Sequence, residues 1–478
     1  MVSLRRGAFC LLLAAGCLLG TPAAQAAKAD DGIKRMSDKQ IKAMEVEADK
    51  ARALFFAGRY AEAAAAFQPL VKDIHASRPL YLCEMGSCYL ANGDYAEAKE
   101  CFLTAADYME TFFDPKLEKR AASLFGAESV KIYKGDPYEK AMNGLLLGLL
   151  FLRDNDVDNA LACFKNGILS DSDVANEMYK SDFTLLQAVE ARCYLLRDER
   201  EMYDQSIAQA RQSYQMTHPA ARDIVVRQQN LMSEAQAQKT RAVKTRNAKT
   251  ATPSADSQKQ FEDLEKELGA VSSNIAMDHV ESLMNGDYNT LILFWCGRSP
   301  TKGRIGRYGE KSYMMINKGR ETRYEVSIDG SAPMDANQGV ADVVFQATTR
   351  GGRQMDNVLA SQADFKAFTS DFGDSLIDSA DDVGGIPGLA ILLVGAISKG
   401  VSAAANAEAD IRNWQCLPGS LQVVPAKLAP GKHELAADAY FGYLRSGQRK
   451  KTFTIDPAVP INLVFVMPAD TVAPPQQP

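Results

Sequence analysis

Residues 145–164, LLLGLLFLRDNDVDNALACF, contain the pattern that decides the fold of the first half of the chain. An apolar run is followed by a polar turn around Asn155, and a small and an aromatic residue return at Ala160 and Phe164. This order is typical of two antiparallel helices that cross closely, because a small residue such as Gly148 lets two helix axes approach and an aromatic ring fills the space beside it. The stretch therefore predicts a helix pair joined by a tight turn.

The same order of small and aromatic residues occurs twice upstream, with no gap inside either copy. One copy consists of Ala51, Leu54, Gly58, Tyr60, Ala63, Phe67 and Leu70, and the other of Gly86, Tyr89, Gly93, Tyr95, Ala98, Phe102 and Ala105. Three such copies match the tetratricopeptide repeat (TPR), a helix pair that stacks on its neighbours to form a solenoid. A degenerate fourth unit is predicted between Phe183 and Tyr214, and an insert with its own helix between Thr111 and Pro137.

The second half of the chain has the two-residue period of β-strands. Strands are predicted at 290–296, 323–328, 341–348, 420–424, 434–441, 451–455 and 461–466, preceded by a helix at 277–284. Turn residues between the last strands suit a meander, so we expect a small antiparallel β-sandwich. The Gly- and Ala-rich run 384–407 is expected to form a helix packed on the sheet, with a membrane contact as the alternative.

These patterns predict a multidomain α+β chain, with an N-terminal all-α TPR-like solenoid followed by a mixed domain that contains an antiparallel β-sandwich. The predicted domains are a signal peptide (1–26), the repeat domain (33–234), a basic polar linker (235–260), the α+β domain (261–467) and a disordered tail (468–478). A length of 478 residues with 46% hydrophobic content is consistent with two or three globular domains.

The N-terminus predicts export. Residues 1–26 contain a basic start, a short apolar core and the small-residue cleavage site Ala24-Gln25-Ala26, as in a secretory signal. An alternative is the lipobox-like Ala14-Ala15-Gly16-Cys17, in which Cys17 would be lipidated and would anchor the chain to a membrane. We therefore expect a periplasmic protein, either free or anchored to the outer membrane.

The groove of the predicted array is unusually apolar. The first helix of each pair contributes the groove candidates Phe55, Phe56, Leu80, Leu90, Met142, Leu145, Leu149 and Leu152. Either a segment of the same chain, such as the insert or the helix after it, fills this surface, or an amphipathic helix or extended peptide of a partner docks there.

Residues that would support catalysis or nucleic-acid binding are few. The four histidines do not lie at metal-ligand spacing, and no nucleophile elbow or phosphate loop occurs, so we expect no catalytic residues, no metal and no cofactor. A net charge of -6 argues against a nucleic-acid partner. Trp414 is expected to be either a core anchor where the chain enters the sheet or a recognition aromatic.

Three stretches give the chain a resemblance to a known family. They are Gly135-Asp136-Pro137-Tyr138-Glu139-Lys140, Asn289-Thr290-Leu291-Ile292-Leu293-Phe294 and Ala409-Asp410-Ile411-Arg412-Asn413-Trp414-Gln415-Cys416-Leu417-Pro418. Together they resemble uncharacterised bacterial envelope lipoproteins with TPR repeats. The resemblance implies an exported helical half followed by a mixed half that ends in strands. It also implies association with other envelope lipoproteins, such as activators of penicillin-binding proteins. No catalytic residues are assigned in this family.

The functional prediction combines the repeats, the export signal and the lack of catalytic motifs. We expect an exported cell-envelope scaffold or adaptor, not an enzyme, that binds an envelope protein or lipoprotein through the groove of the array. The alternative is a protein that binds or acts on cell-wall glycan through the C-terminal β domain.

Overall fold

The computed structural model describes residues 36–109, 132–172, 183–218, 255–275, 277–305, 311–315, 323–349, 410–441, 443–468 and 471–472, together with helical positions 221, 224, 227 and 231. The predicted signal peptide with Cys17, most of the insert, the first part of the linker, the 384–407 run and most of the predicted tail lie outside the described residues.

Eight helices of the described residues form four antiparallel pairs that stack in chain order. They are α1 (Asp38–Phe56) with α2 (Tyr60–Val71), α3 (Arg78–Asn92) with α4 (Tyr95–Met109), α5 (Pro137–Arg153) with α6 (Val157–Ser172), and α7 (Thr184–Leu196) with α8 (Arg200–Thr217). The predicted helical-repeat region is confirmed, and the degenerate fourth unit is also a helix pair.

The turn inside each pair contains one residue in the left-handed conformation. The four residues are Gly58 (φ 78°), Gly93 (φ 91°), Asn155 (φ 61°) and Asp198 (φ 61°). Gly, Asn and Asp adopt this conformation at lower cost than other residues, which is why they end helices. The common turn geometry shows that the four units are built alike, although their spacing along the chain is uneven.

Close crossing of the paired helices depends on glycines, of which Gly86 and Gly148 face aromatic rings. A Cβ atom on Gly86 would stand 2.6 Å from Phe102 Cε1, and one on Gly148 would meet the ring of Phe164 equally closely. The aromatic ring of the second helix therefore fills the space that a side chain at the glycine of the first helix would need, as the repeat pattern predicts.

Three further helices lie around the second half of the chain: α9 (Ala255–Ser273), α10 (Asp278–Met284) and α11 (Val343–Thr349). Helix α9 begins inside the predicted linker, so residues 255–260 are helical. The strand predicted at 341–348 is wrong over most of its length, because α11 begins after Asp342. The carboxylate Oδ1 of Asp342 accepts the backbone N–H of Phe345 at 2.8 Å, and this cap starts a helix despite the β-branched residues that follow.

The strands of the described residues form two larger sheets and one hairpin. Their bounds are β1 (Thr290–Cys296), β2 (Thr301–Ile305), β3 (Lys311–Met315), β4 (Arg323–Ile328), β5 (Met334–Asp335), β6 (Asn337–Ala341), β7 (Ser420–Ala426), β8 (Gly431–Phe441), β9 (Leu444–Ile455), β10 (Asn462–Val466) and β11 (Thr471–Val472). The first sheet has the order β10-β1-β7-β6, the second β11-β9-β8-β4-β5, and β2 pairs with β3. The second sheet is antiparallel throughout, whereas β1 runs parallel to β10, so the first sheet is mixed.

Strand β1 is buried on both faces and joins the two halves of the molecule. Its residues Leu291, Leu293 and Trp295 belong to one large core together with the repeat helices. The alternating residues Ile292, Phe294 and Cys296 belong to a smaller core shared with the second sheet. The first sheet is therefore the middle layer, with helices on one face and the second sheet on the other. No described helix is long and apolar enough to cross a membrane.

Candidate functional site: the groove of the helical array

The groove is the surface formed by the first helices of the pairs, α1, α3 and α5. Seven of the eight groove candidates are at most 4% exposed, namely Phe55, Leu80, Leu90, Met142, Leu145, Leu149 and Leu152, whereas Phe56 is half-buried. All of them belong to the large core or pack against it. Most of these apolar side chains are therefore buried in the large core.

These helices also contact residues 410–417, which we call the inserted segment. Trp414 is fully buried, with its ring centroid 5.6 Å from that of Phe102. Its backbone N–H donates to Glu139 Oε1 at 2.6 Å, and its indole Nε1–H donates to Ser87 Oγ at 3.0 Å. Glu139 lies on α5 and Ser87 on α3, so this tryptophan joins two neighbouring repeats.

The residues beside Trp414 extend this attachment along α3. The backbone N–H of Gln415 donates to Glu84 Oε1 at 3.0 Å, and the Arg412 guanidinium donates to the carbonyl oxygen of Ala76, also at 3.0 Å. Arg412 is held in turn by the carboxylate of Asp410 at 2.7 Å. The inserted segment is thus bound through two backbone N–H groups and through the side-chain donors of Trp414 and Arg412.

Glu84 is fully buried and depends on Arg52 of α1 for its counter-charge. Arg52 Nε donates to Glu84 Oε1 at 3.0 Å, and Arg52 Nη1 contacts Glu45 at 2.6 Å and Asp49 at 2.8 Å. Burial alone lowers the pKa of Arg52, but the charges of Glu84 and Glu45 outweigh it and raise the pKa above its ordinary value. The guanidinium therefore stays charged and holds Glu84 in place for the inserted segment.

Glu139 begins the third repeat and is also fully buried. Its Oε2 accepts the backbone N–H of Asp136 at 2.6 Å, as in a helix capping box, while its Oε1 accepts Trp414. Lys302 Nζ lies 2.5 Å from Asp136 Oδ2, and both side chains are buried. Burial is the main cause that raises the pKa of Glu139 to about 7, with the charge of Asp136 acting in the same direction.

The first sheet also packs against this face of the array. Phe465 of β10 lies 6.3 Å from the ring of Tyr95, and Trp295, Leu421 and Leu463 share the core with the groove candidates. Among the described residues, several parts of the same chain lie against this face of the array. They are the inserted segment, the first sheet and Tyr133 from the end of the predicted insert, whose ring centroid lies 5.6 Å from the Arg412 guanidinium. Trp414 is accordingly a core anchor, and its ring is not available at the surface.

One part of the groove is open, and we call it the α1 cleft. It has a volume of about 460 Å³ and is lined by Asp49, Arg52, Ala53, Phe56, Ala57, Arg298 and Gln415. The Arg298 guanidinium lies 3.9 Å from the centroid of the Phe56 ring. Among the described residues, Arg52 Nη2 is a buried donor with no hydrogen-bond acceptor, and Arg298 makes no ion pair. The cleft thus offers donors and an aromatic face at the end of the inserted segment.

The sequence interpretation missed the charged residues of this site. Glu84 interrupts an apolar helix, and Asp136 with Glu139 has the spacing of a capping box, so both carried a local signal. The pairing of Trp414 with Ser87 and Glu139 carried no local sequence signal, because the partners lie far apart in the chain. In the described residues, no group of three or more His, Cys, Asp or Glu side chains is placed to hold a metal ion.

Comparison with known families identifies the repeat that carries most of these contacts. The tetratricopeptide repeat family model matches residues 80–108, which lie within the α3–α4 pair and include Glu84, Ser87 and Phe102. No curated protein matches the chain. The helix pairs and the match together show a helical-repeat region that contains a tetratricopeptide repeat, and such repeats generally mediate binding to protein partners.

Proposed function

We propose that this chain is a non-enzymatic scaffold of the cell envelope that binds a protein partner at the α1 cleft. The observation that carries the proposal is the cleft itself, which is the open end of a repeat groove otherwise filled by the chain. We assign no reaction to the protein.

The inserted segment indicates how a partner would bind. Its backbone N–H groups and one indole N–H are held by side chains of the first helices, which is a common way for a groove to hold a peptide. At the α1 cleft, Arg52 Nη2 and the Arg298 guanidinium supply donors, and Phe56 supplies an apolar face. A partner segment that offers acceptor oxygens beside an apolar side chain would continue past Gln415 along the same surface.

The proposed location rests on the N-terminal sequence. Residues 1–26 have the features of an export signal, and Cys17 lies in a lipobox-like context. The partner class that follows is another envelope protein or lipoprotein, which is also what the family resemblance implies.

Site-specific photo-crosslinking tests the proposal in the full-length protein. A photoreactive amino acid replaces the exposed Ala53 in the cleft, and a matched probe replaces the exposed Ala61 on α2, which does not line the cleft. We expect one envelope protein to be crosslinked from position 53 and not from position 61. Recovery of no specific protein from position 53, or of the same protein from both positions, would overturn the proposal.

Variants of the cleft separate binding from folding. Arg298→Ala removes a guanidinium that makes no ion pair among the described residues, so the fold should be unaffected. We expect the adduct from position 53 to decrease while the thermal unfolding temperature stays constant. An unchanged adduct would exclude Arg298 from the binding surface.

A further inference from the structure

The hairpin of β8 and β9 ends in a cluster of exposed apolar side chains, which we call the hairpin tip. Phe441 is 53% exposed, Tyr443 is 103% exposed and Leu444 is 74% exposed. Phe441 and Leu444 are paired across the hairpin, so the three side chains are close together at its end. An apolar cluster that is exposed to water is costly and marks a surface that contacts something else.

The hairpin tip differs from the other exposed apolar residues of the described chain. Those residues are Val46, Ile74, Leu103, Leu169, Met202, Met334 and Ile411, and no two of them are adjacent in sequence. Single exposed apolar side chains are normal on any protein surface. The clustering at the tip is therefore the feature that needs an explanation.

The charges next to the tip are already paired. Tyr440 and Arg445 form the next cross-strand pair, and Arg445 forms an ion pair with Asp438. On the neighbouring strand β4, the Arg323 guanidinium lies 4.6 Å from the centroid of the Tyr440 ring and 2.5 Å from the carboxylate of Glu325. Two cations thus face two anions, so attraction of the tip to a binding surface must come from its apolar area.

The size of the tip decides between a protein and a lipid surface. A stable protein interface buries about 800 Å² on each partner and uses roughly 20–30 residues a side. Three side chains on a protruding turn fall far below that, for a second copy of this chain as well as for another protein. A bilayer interface accepts small apolar protrusions and favours aromatic side chains such as tyrosine at the level of the headgroups.

We propose that the hairpin tip inserts Phe441, Tyr443 and Leu444 into the interfacial region of a lipid bilayer. The contact does not depend on the α1 cleft or on a lipid at Cys17. Since the flanking charges are paired, it does not require anionic lipid.

Tryptophan fluorescence of the full chain tests this insertion. The two native tryptophans, Trp295 and Trp414, are 1% and 0% exposed, so Tyr443→Trp adds a reporter over a background that vesicles should not change. With phosphatidylcholine vesicles at millimolar lipid, we expect the added emission to shift to shorter wavelength and to be quenched by brominated acyl chains. The matched control is Leu169→Trp on α6, where the native side chain is 56% exposed, and it should show neither effect.

Loss of the apolar side chains tests the driving force. Phe441→Ser and Leu444→Ser should each lower the vesicle partition coefficient by about tenfold, because each removes one apolar side chain that the bilayer would otherwise bury. Added phosphatidylglycerol or salt should leave the coefficient nearly unchanged. Circular dichroism and thermal unfolding of both variants should match the parent chain.

Three results would overturn the proposal. One is the lack of a spectral shift with vesicles, which would indicate a protein pocket instead. Another is binding only to anionic vesicles with loss in salt, which would place the contact on charged residues elsewhere. The third is self-association in sedimentation experiments that Leu444→Ser abolishes, which would identify a second copy as the occupant.

Discussion

The inserted segment and the hairpin tip are two short stretches that each carry an aromatic residue, yet their environments are opposite. Trp414 has no exposed surface and places both of its N–H groups on acceptors of α3 and α5. Tyr443 is fully exposed and lies at the turn between β8 and β9. The first stretch holds the two halves of the molecule together, whereas the second contributes little to the fold.

The two aromatic residues differ in burial because the two stretches lie at different places relative to the sheets. The inserted segment leads into β7, the strand next to β1, and β1 has helices on one side and the second sheet on the other. The hairpin tip lies at the end of the second sheet, one residue past the last pair of β8 with β4. Burial of an aromatic residue therefore follows from its position in the topology, and the local composition does not decide it.

The largest difference in stability is expected when each of the two aromatic residues is replaced by alanine. Trp414→Ala removes the largest side chain of the segment and leaves a cavity between α3, α4 and the sheet, so we expect the free energy of unfolding to fall by about 4 kcal/mol. Tyr443→Ala removes an exposed side chain and should change it by no more than about 0.5 kcal/mol. Urea denaturation of the full chain measures both values. Equal effects would show that the inserted segment is not a stabilising part of the core.

A second comparison uses Gly86, which lies at a crossing of two packed helices, and Gly269, which lies on an exposed helix surface. Gly86→Ala would place a Cβ against the Phe102 ring that also contacts Trp414, so we expect a loss of about 1–3 kcal/mol. A Cβ added at Gly269, in the exposed part of α9, would meet no atom within 4 Å, and Gly269→Ala should stabilise the chain by about 0.5–1 kcal/mol. Thermal unfolding distinguishes the two. A neutral Gly86→Ala would mean that the helix crossing can relax.

The repeat half of the fold was largely predictable because its signal is local. A small residue such as Gly86, a turn residue such as Gly93 and an aromatic such as Phe102 lie within one helix pair, so a single stretch of sequence contains the whole unit. Strand β1 was predicted for the same reason, since its continuous apolar run is typical of a strand buried on both faces. The α11 helix was missed because one capping side chain, Asp342, outweighed the strand propensity of the valines.

The candidate site was predictable only in part. The groove residues were predicted as an apolar surface, but periodicity says nothing about which part of the chain lies against it. The occupant is set by contacts between Trp414 and residues that precede it by roughly 270–330 positions, and a single sequence contains no signal for such pairs. The α1 cleft depends on where the inserted segment ends, so it could not be located before the occupant was known.

A third comparison concerns pH, and it acts on the buried stretch alone. Burial raises the pKa of Glu139 from 4.5 to about 7, so between these values the folded chain retains a proton that the unfolded chain has released. The free energy of unfolding should therefore fall as the pH rises through this window, by at most about 1.4 kcal/mol per pH unit. Glu139→Gln should remove this contribution, although it also weakens the contact with the Asp136 N–H. Tyr443→Ala should keep the slope of the parent chain, since the hairpin tip is remote from Glu139. Urea denaturation at a series of pH values measures the slope. A slope of the opposite sign would mean that the hydrogen bonds from Trp414 and Asp136 to the ionised carboxylate outweigh the cost of its burial.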